Sequence, residues 1–269
     1  MAGIFGIAVL AGVIAGPATA AMTAWAESEG GRVRLVALPA DADGKISAAL
    51  QIEPAPGWIT YWREPGDSGI PPQISITPDS NVTLAGIAYP VPKHIEAGSL
   101  RDFGYDGPVA FPLDLTLASA DAEPRFDAQV FIGLCKNICI PFQADFSLTL
   151  PKAAQSAAQE AMIIETARAS LPEAPGADFA VTGSDLAADH TTLHLSLTLP
   201  EGGDLPEIIV TGPAGYVFTE QQNARREANT FSTDIVIPKL PKRFKAETAR
   251  WGLLVKSGGR AMETTLAFE

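Results

Sequence analysis

Cys135 and Cys139 are the only cysteines among 269 residues, and they stand side by side in the stretch FIGLCKNICIPF, 131–142. Sulfur at that spacing supports three chemistries. A permanent staple is one, but closing so short a ring stabilises a fold by roughly 2 kcal/mol at best and ties no distant strands together. Two thiolates can also hold a soft ion such as Cu(I), whereas a closed zinc site needs four ligands. Of the three histidines, His190 and His194 fall on the polar side of a strand whose other side carries leucines, and His94 stands in a loop. Reversible exchange is the third chemistry. A thiolate attacks a disulfide, a mixed disulfide forms, and the second cysteine resolves it, with no cofactor. Lys136 beside Cys135 would favour the thiolate. The C-x-x-C spacing inside a βαβ pattern is absent. Residue types alone leave all three chemistries open.

The elements around the pair read as β structure. Ile46, Ala48, Leu50 and Ile52 alternate with more polar neighbours, the period of a half-buried strand. Strands are expected at 33–38, 46–52, 58–62, 73–76, 82–89, 109–117, 125–134 and 143–150, with REPGDSGIPP after Trp62 as a Pro- and Gly-rich loop. The Ala-, Gln- and Glu-rich stretch 152–170 predicts one helix. Strands return at 178–182, 191–199, 207–211, 215–219, 230–237 and 249–256. The expected fold is all-β: an immunoglobulin-like β-sandwich over 27–150, a helical linker over 151–176, and a second small β-sandwich-like domain over 177–269.

The first 26 residues carry no charge, and two A-x-A patterns, Ala18-Thr19-Ala20 and Ala24-Trp25-Ala26, follow an apolar run. That predicts a signal peptide over 1–26, although the basic start of such a leader is missing. The expected site of action is periplasmic or secreted, where thiols oxidise. No later stretch is long and apolar enough for a transmembrane helix. The net charge of −12 argues against nucleic acid and anionic membrane surfaces as partners.

Three blocks in order, GWITYWREPGDSGIPP (57–72), DFGYDGPVAFPL (102–113) and GLCKNICIPF (133–142), resemble the N-terminal periplasmic domain of the thiol:disulfide interchange protein DsbD. They are closer still to its relatives in the suppressor-of-copper-sensitivity group. The likeness covers about 30–150; the second domain resembles the extra domain of those relatives through less specific motifs. The resemblance implies an immunoglobulin-like sandwich with a redox pair, Cys135 and Cys139, with Cys139 as nucleophile. It implies a protein-disulfide reductase activity. Electrons would come from a thioredoxin-like or membrane-embedded reductase partner and pass to exported client proteins. It implies a cap loop over the sulfurs at 94–107, with Phe103 or Tyr105 covering them and Glu96 or Asp102 tuning their proton affinity. Tyr61 and Trp62 match the family's aromatic position on a neighbouring strand. No cofactor and no metal ligand are expected.

Two other readings stand beside it: an immunoglobulin-like binding module with an inert disulfide, and a Cu(I)-binding copper-tolerance protein. Buried aromatics more often build cores than sites, which applies to Trp58 and Trp62. Asp67 and Asp106 sit beside glycines, as turn residues do. Full-length members of the family continue into membrane helices and a thioredoxin-like domain, and this sequence has neither. Either a separate membrane reductase is the donor or the fold serves another purpose.

Overall fold

The computed structural model describes residues 22–97, 100–119, 124–150, 158–238, 240, 250–266 and 268. The first domain contains β1 (Ala26–Ser28), β2 (Gly31–Ala37), β3 (Lys45–Pro54), β4 (Thr60–Gly66), β5 (Gln73–Ile76), β6 (Val82–Ile87), β7 (Lys93–Ala97), β8 (Leu100–Tyr105), β9 (Val109–Leu117), β10 (Arg125–Cys135) and β11 (Cys139–Thr149). A five-stranded antiparallel sheet, β1-β2-β3-β9-β6, faces a three-stranded sheet, β11-β10-β5. A second three-stranded sheet, β4-β8-β7, adjoins them. The alternating residues predicted at 46–52 are the inward face of β3. With Phe111 and Leu113 of β9 they meet Phe126, Val130, Ile132 and Leu134 of β10 in one apolar core. Period-2 alternation puts every second side chain on that face, so register and burial are set together.

Val36 and Ala49 point the other way, yet neither is exposed. Helix α1 (Ala158–Ala169) covers them with Ile164. Arg168 of α1 reaches Asp114 of β9 at 2.5 Å, and Val91 N donates to Ser170 O at 3.2 Å. The helix is therefore a wall of the first domain as well as a connection to the second; residues 151–157 of the expected linker lie outside the described residues. If the helix is a wall, Ile164→Val costs about 1 kcal/mol, while Met162→Ala, at an exposed position, costs close to nothing. Urea unfolding midpoints check this, and equal midpoints for wild type and Ile164→Val would reduce the helix to a tether.

The second domain stacks two four-stranded sheets. One is made of β12 (Ala180–Leu186), β13 (Thr192–Thr198), β17 (Thr230–Val236) and β16 (Gln221–Glu227); the other of β15 (Val217–Phe218), β14 (Glu207–Thr211), β18 (Trp251–Ser257) and β19 (Arg260–Leu266). Leu193, Leu195 and Leu197 face Ile208, Val210, Leu253 and Val255 around Trp251. Ile209 and Leu254, on the opposite side of their strands, join the core of the first domain. Arg63 of β4 forms an ion pair with Glu263 of β19, and Lys256 Nζ donates to Pro92 O at 2.8 Å.

Residues 1–21 of the expected leader lie outside the described residues. Residues 22–26, which the pattern at Ala24-Trp25-Ala26 places inside it, pair with β2. Thr23 N donates to Leu35 O at 2.9 Å, and Trp25 lies against the guanidinium groups of Arg32 and Arg34, 4.5 and 4.3 Å from its ring centre.

Candidate functional site

β10 and β11 form a hairpin whose register runs unbroken from Arg125 opposite Thr149 to Cys135 opposite Cys139. Its ladder alternates. Thr77 N donates to Asp127 O, and Cys135 exchanges two backbone bonds with Ile59, of 2.8 and 3.0 Å. Odd-numbered residues of β10 thus turn their amides away from β11. Leu150 N donates to Pro124 O, so even-numbered residues turn theirs towards it. Cys135 and Cys139 are therefore a non-hydrogen-bonded pair, the type in which facing side chains come closest. Their sulfurs are bonded to each other. Pro141, opposite Gly133, occupies the same kind of position, so its missing N–H costs the ladder nothing.

The two sulfurs are in different environments. Cys135 is 4% exposed, pinned from the far side by Ile59. Cys139 is exposed. The turn between them is Lys136-Asn137-Ile138, with Ile138 70% exposed at its tip.

Tyr61 of β4 reaches the exposed sulfur. Its ring lies in a slot left by two glycines. A Cβ on Gly69 would stand 2.3 Å from Tyr61 Cδ1, and one on Gly133 would stand 2.8 Å from Ile70 Cβ and 3.3 Å from Tyr61 Cδ2. The hydroxyl sits 3.5 Å from Cys139 Sγ and 3.5 Å from Asp102 Oδ2. It has one proton for two acceptors, since a disulfide sulfur has none to donate. Asp102 is 2% exposed, and its carboxylate accepts from Ser68 N at 3.1 Å and Ser68 Oγ at 2.8 Å. Burial, and then the negative charge of Asp102, push the Tyr61 phenol up to about 12. The hydroxyl stays a donor at any physiological pH.

The structure brings together Cys135, Cys139, Tyr61 and Asp102. It places the other expected site residues elsewhere. The segment 94–107, expected as a cap loop, is largely the hairpin β7–β8. Phe103 is 2% exposed and packs into the core, stacked on His94 with ring centres 5.2 Å apart and edge-on to Trp62 at 6.3 Å. Tyr105 donates to Pro90 O at 2.8 Å and packs on Phe111. These rings are core residues because strand pairing turns them inward, where their apolar area is worth most. Trp62 is buried in the same core, beneath the Arg63 guanidinium 4.3 Å from its ring centre. The side chain of Glu96 lies outside the described residues. Asp67 holds the backbone of Arg101 through its carboxylate at 3.0 Å, a turn role as expected.

Sequence reasoning missed Ser68 and Ile59. Ser68 sits in a Gly-rich loop whose composition gives no hint that it faces a carboxylate 34 residues away. Ile59 looked like any apolar strand residue; its role lies in its backbone.

Residues 33–151 match the family described as thiol:disulfide interchange protein DsbD, N-terminal. The whole fold is similar to the crystal structure of the N-terminal periplasmic domain of ScsB from Proteus mirabilis. The TM-score is 0.73 at 24% identity, covering 92% of this chain and 99% of that one. No curated protein matches the chain in sequence. The matched segment contains the whole β10–β11 hairpin with its disulfide, so the likeness to the DsbD N-terminal family spans the candidate site.

Proposed function

We propose that the Cys135–Cys139 disulfide is a working electron carrier in the periplasm or another exported compartment. It takes two electrons from a thioredoxin-like or membrane-embedded reductase and passes them to exported client proteins. One observation carries the reading: an exposed Cys139 is bonded to a buried Cys135 at the end of a hairpin. Breaking that bond removes no contact from the core.

Reduction begins when a partner thiolate attacks Cys139 Sγ. The S–S bond breaks, its electron pair goes to Cys135 Sγ, and the partner is left joined to Cys139. The partner's second thiolate then attacks its own sulfur in that mixed disulfide and releases Cys139 as a thiolate. The partner dithiol has become a disulfide, and two protons complete the two thiols here. Passing electrons to a client runs the same steps backwards, with Cys139 attacking and Cys135 resolving. Tyr61 stands where its hydroxyl can donate to the Cys139 thiolate and stabilise it as attacker and as leaving group.

The test is equilibration of the whole chain in glutathione redox buffers, with the dithiol fraction read by alkylation and mass. A working pair should have a potential above about −300 mV. A value well below that would mark an inert staple and favour the binding-module reading.

A further inference from the structure

Two A-x-A patterns close the uncharged start of the chain, Ala18-Thr19-Ala20 and Ala24-Trp25-Ala26. A peptidase that removes an export leader reads small side chains at the leader's last and third-last positions. Both patterns satisfy it, so residue types leave two possible cuts, six residues apart. What lies between them tells the two apart.

Residues 22–26 are built into the first domain. Met22 bridges to Val36, and Ala26, the first residue of β1, pairs with Val33. Thr23 serves Leu35 twice: its N–H donates to Leu35 O at 2.9 Å, and its Oγ1 accepts from Leu35 N at 3.0 Å. Met22 packs with Val36, Ala49 and Ile164 where α1 meets the sheet. Trp25 covers the guanidinium groups of Arg32 and Arg34, which bond Glu53 and Gln51 of β3 at 2.8 Å each. Within the segment only Ala24 is exposed.

A cut after Ala26 would discard all of these contacts. β2 would then present the N–H and C=O of Leu35 as an open edge, which folded sheets cover. The place of Met22 against Ile164 would be empty. A chain end tied into a sheet belongs to its domain, whereas a leader is removed from it. We infer that the exported chain is cut between Ala20 and Ala21, and that residues 22–26 stay as a strap along β2 and against α1. Water adds across the Ala20–Ala21 peptide bond, leaving a carboxylate on Ala20 of the leader and an ammonium group on Ala21. Both residues lie outside the described ones; the strap that begins at Met22 locates the cut. This processing rests on the exported compartment of the proposed function.

The experiment makes the whole chain, leader included, in a Gram-negative bacterium and reads the N-terminus of the periplasmic product by intact mass and Edman sequencing. The expected first residue is Ala21. A product beginning at Glu27 would overturn the assignment while export itself stands. An uncut chain confined to the cytoplasm would overturn both. Ala20→Glu spoils only the first pattern and lies outside the mature chain, so it should abolish leader removal. Ala24→Glu spoils only the second, at an exposed position, and should leave Ala21 as the first residue. Unchanged processing of Ala20→Glu, or lost processing of Ala24→Glu, would overturn the site. The strap has its own check. A chain starting at Glu27 should unfold at lower urea than one starting at Ala21, and equal midpoints would overturn the strap's part in the fold.

Discussion

Cys135→Ser will hold its partners covalently, and Cys139→Ser will not. In the first variant the exposed Cys139 thiol attacks a client disulfide and forms a mixed disulfide that nothing resolves. In the second the remaining thiol is 4% exposed, with Ile59 against its backbone. Its mixed disulfides should form roughly tenfold more slowly or worse, because exchange rates follow access to the sulfur and its thiolate character. Both variants lose turnover completely, since each removes one of the two sulfurs that share the electron pair. Neither should unfold. Opening so small a ring returns about 2 kcal/mol of chain entropy to the unfolded state, and the ladder from Arg125 to Leu134 remains. Two measurements decide it: non-reducing gels of each variant after exposure to exported proteins, and urea midpoints. A Cys139→Ser chain that traps as well as Cys135→Ser would refute the assigned roles. A collapse of the urea midpoint in both would make the bond a staple.

Tyr61→Phe should raise the pKa of the reduced Cys139 thiol by roughly one to two units. The variant keeps the ring in its glycine slot and removes only the hydroxyl, 3.5 Å from the sulfur. A hydrogen bond to a charged acceptor contributes about 1.5–3 kcal/mol, and one pKa unit corresponds to about 1.4 kcal/mol. Asp102→Asn should act in the opposite direction. With the buried charge gone, the hydroxyl loses its competing acceptor and serves the sulfur, so the thiol pKa falls. Alkylation rate against pH reads both shifts directly, and a common shift in one direction would show only general disturbance of the site. Stability gives an independent check. The Tyr61 phenol is raised from 10.0 to about 12 in the folded chain. Its contribution is therefore fully present below pH 10 and is lost as pH rises towards 12. The wild type should lose stability more steeply than Tyr61→Phe over that window.

Much of this was legible beforehand where a strand has one wet and one dry side. Strands such as β3, β9 and β13 alternate visibly because the core takes every second residue. β16 went unseen because nearly all of it is exposed, so no alternation is imposed on its residue types. β7 and β8 were hidden among Gly and charged residues, and what makes them strands is their pairing with each other and with β4. The composition of α1 shows a helix but not what it attaches to. Val36 and Ala49 look like ordinary members of apolar runs until α1 is seen to cover them.

The amino-acid sequence by itself determined the chemistry available here, because two adjacent sulfurs in a chain with no others permit few reactions. It also determined the layered β architecture, because alternation is a local property. Only the tertiary structure decided which sulfur faces solvent, that its strand ends a sheet, and that a tyrosine and a buried aspartate converge on it from 78 and 41 residues away in relation to Cys139 and Tyr61 respectively. Exposure, edge position and convergence are properties of which strand lies beside which. Pairing between distant segments sets that order, and no single segment carries it.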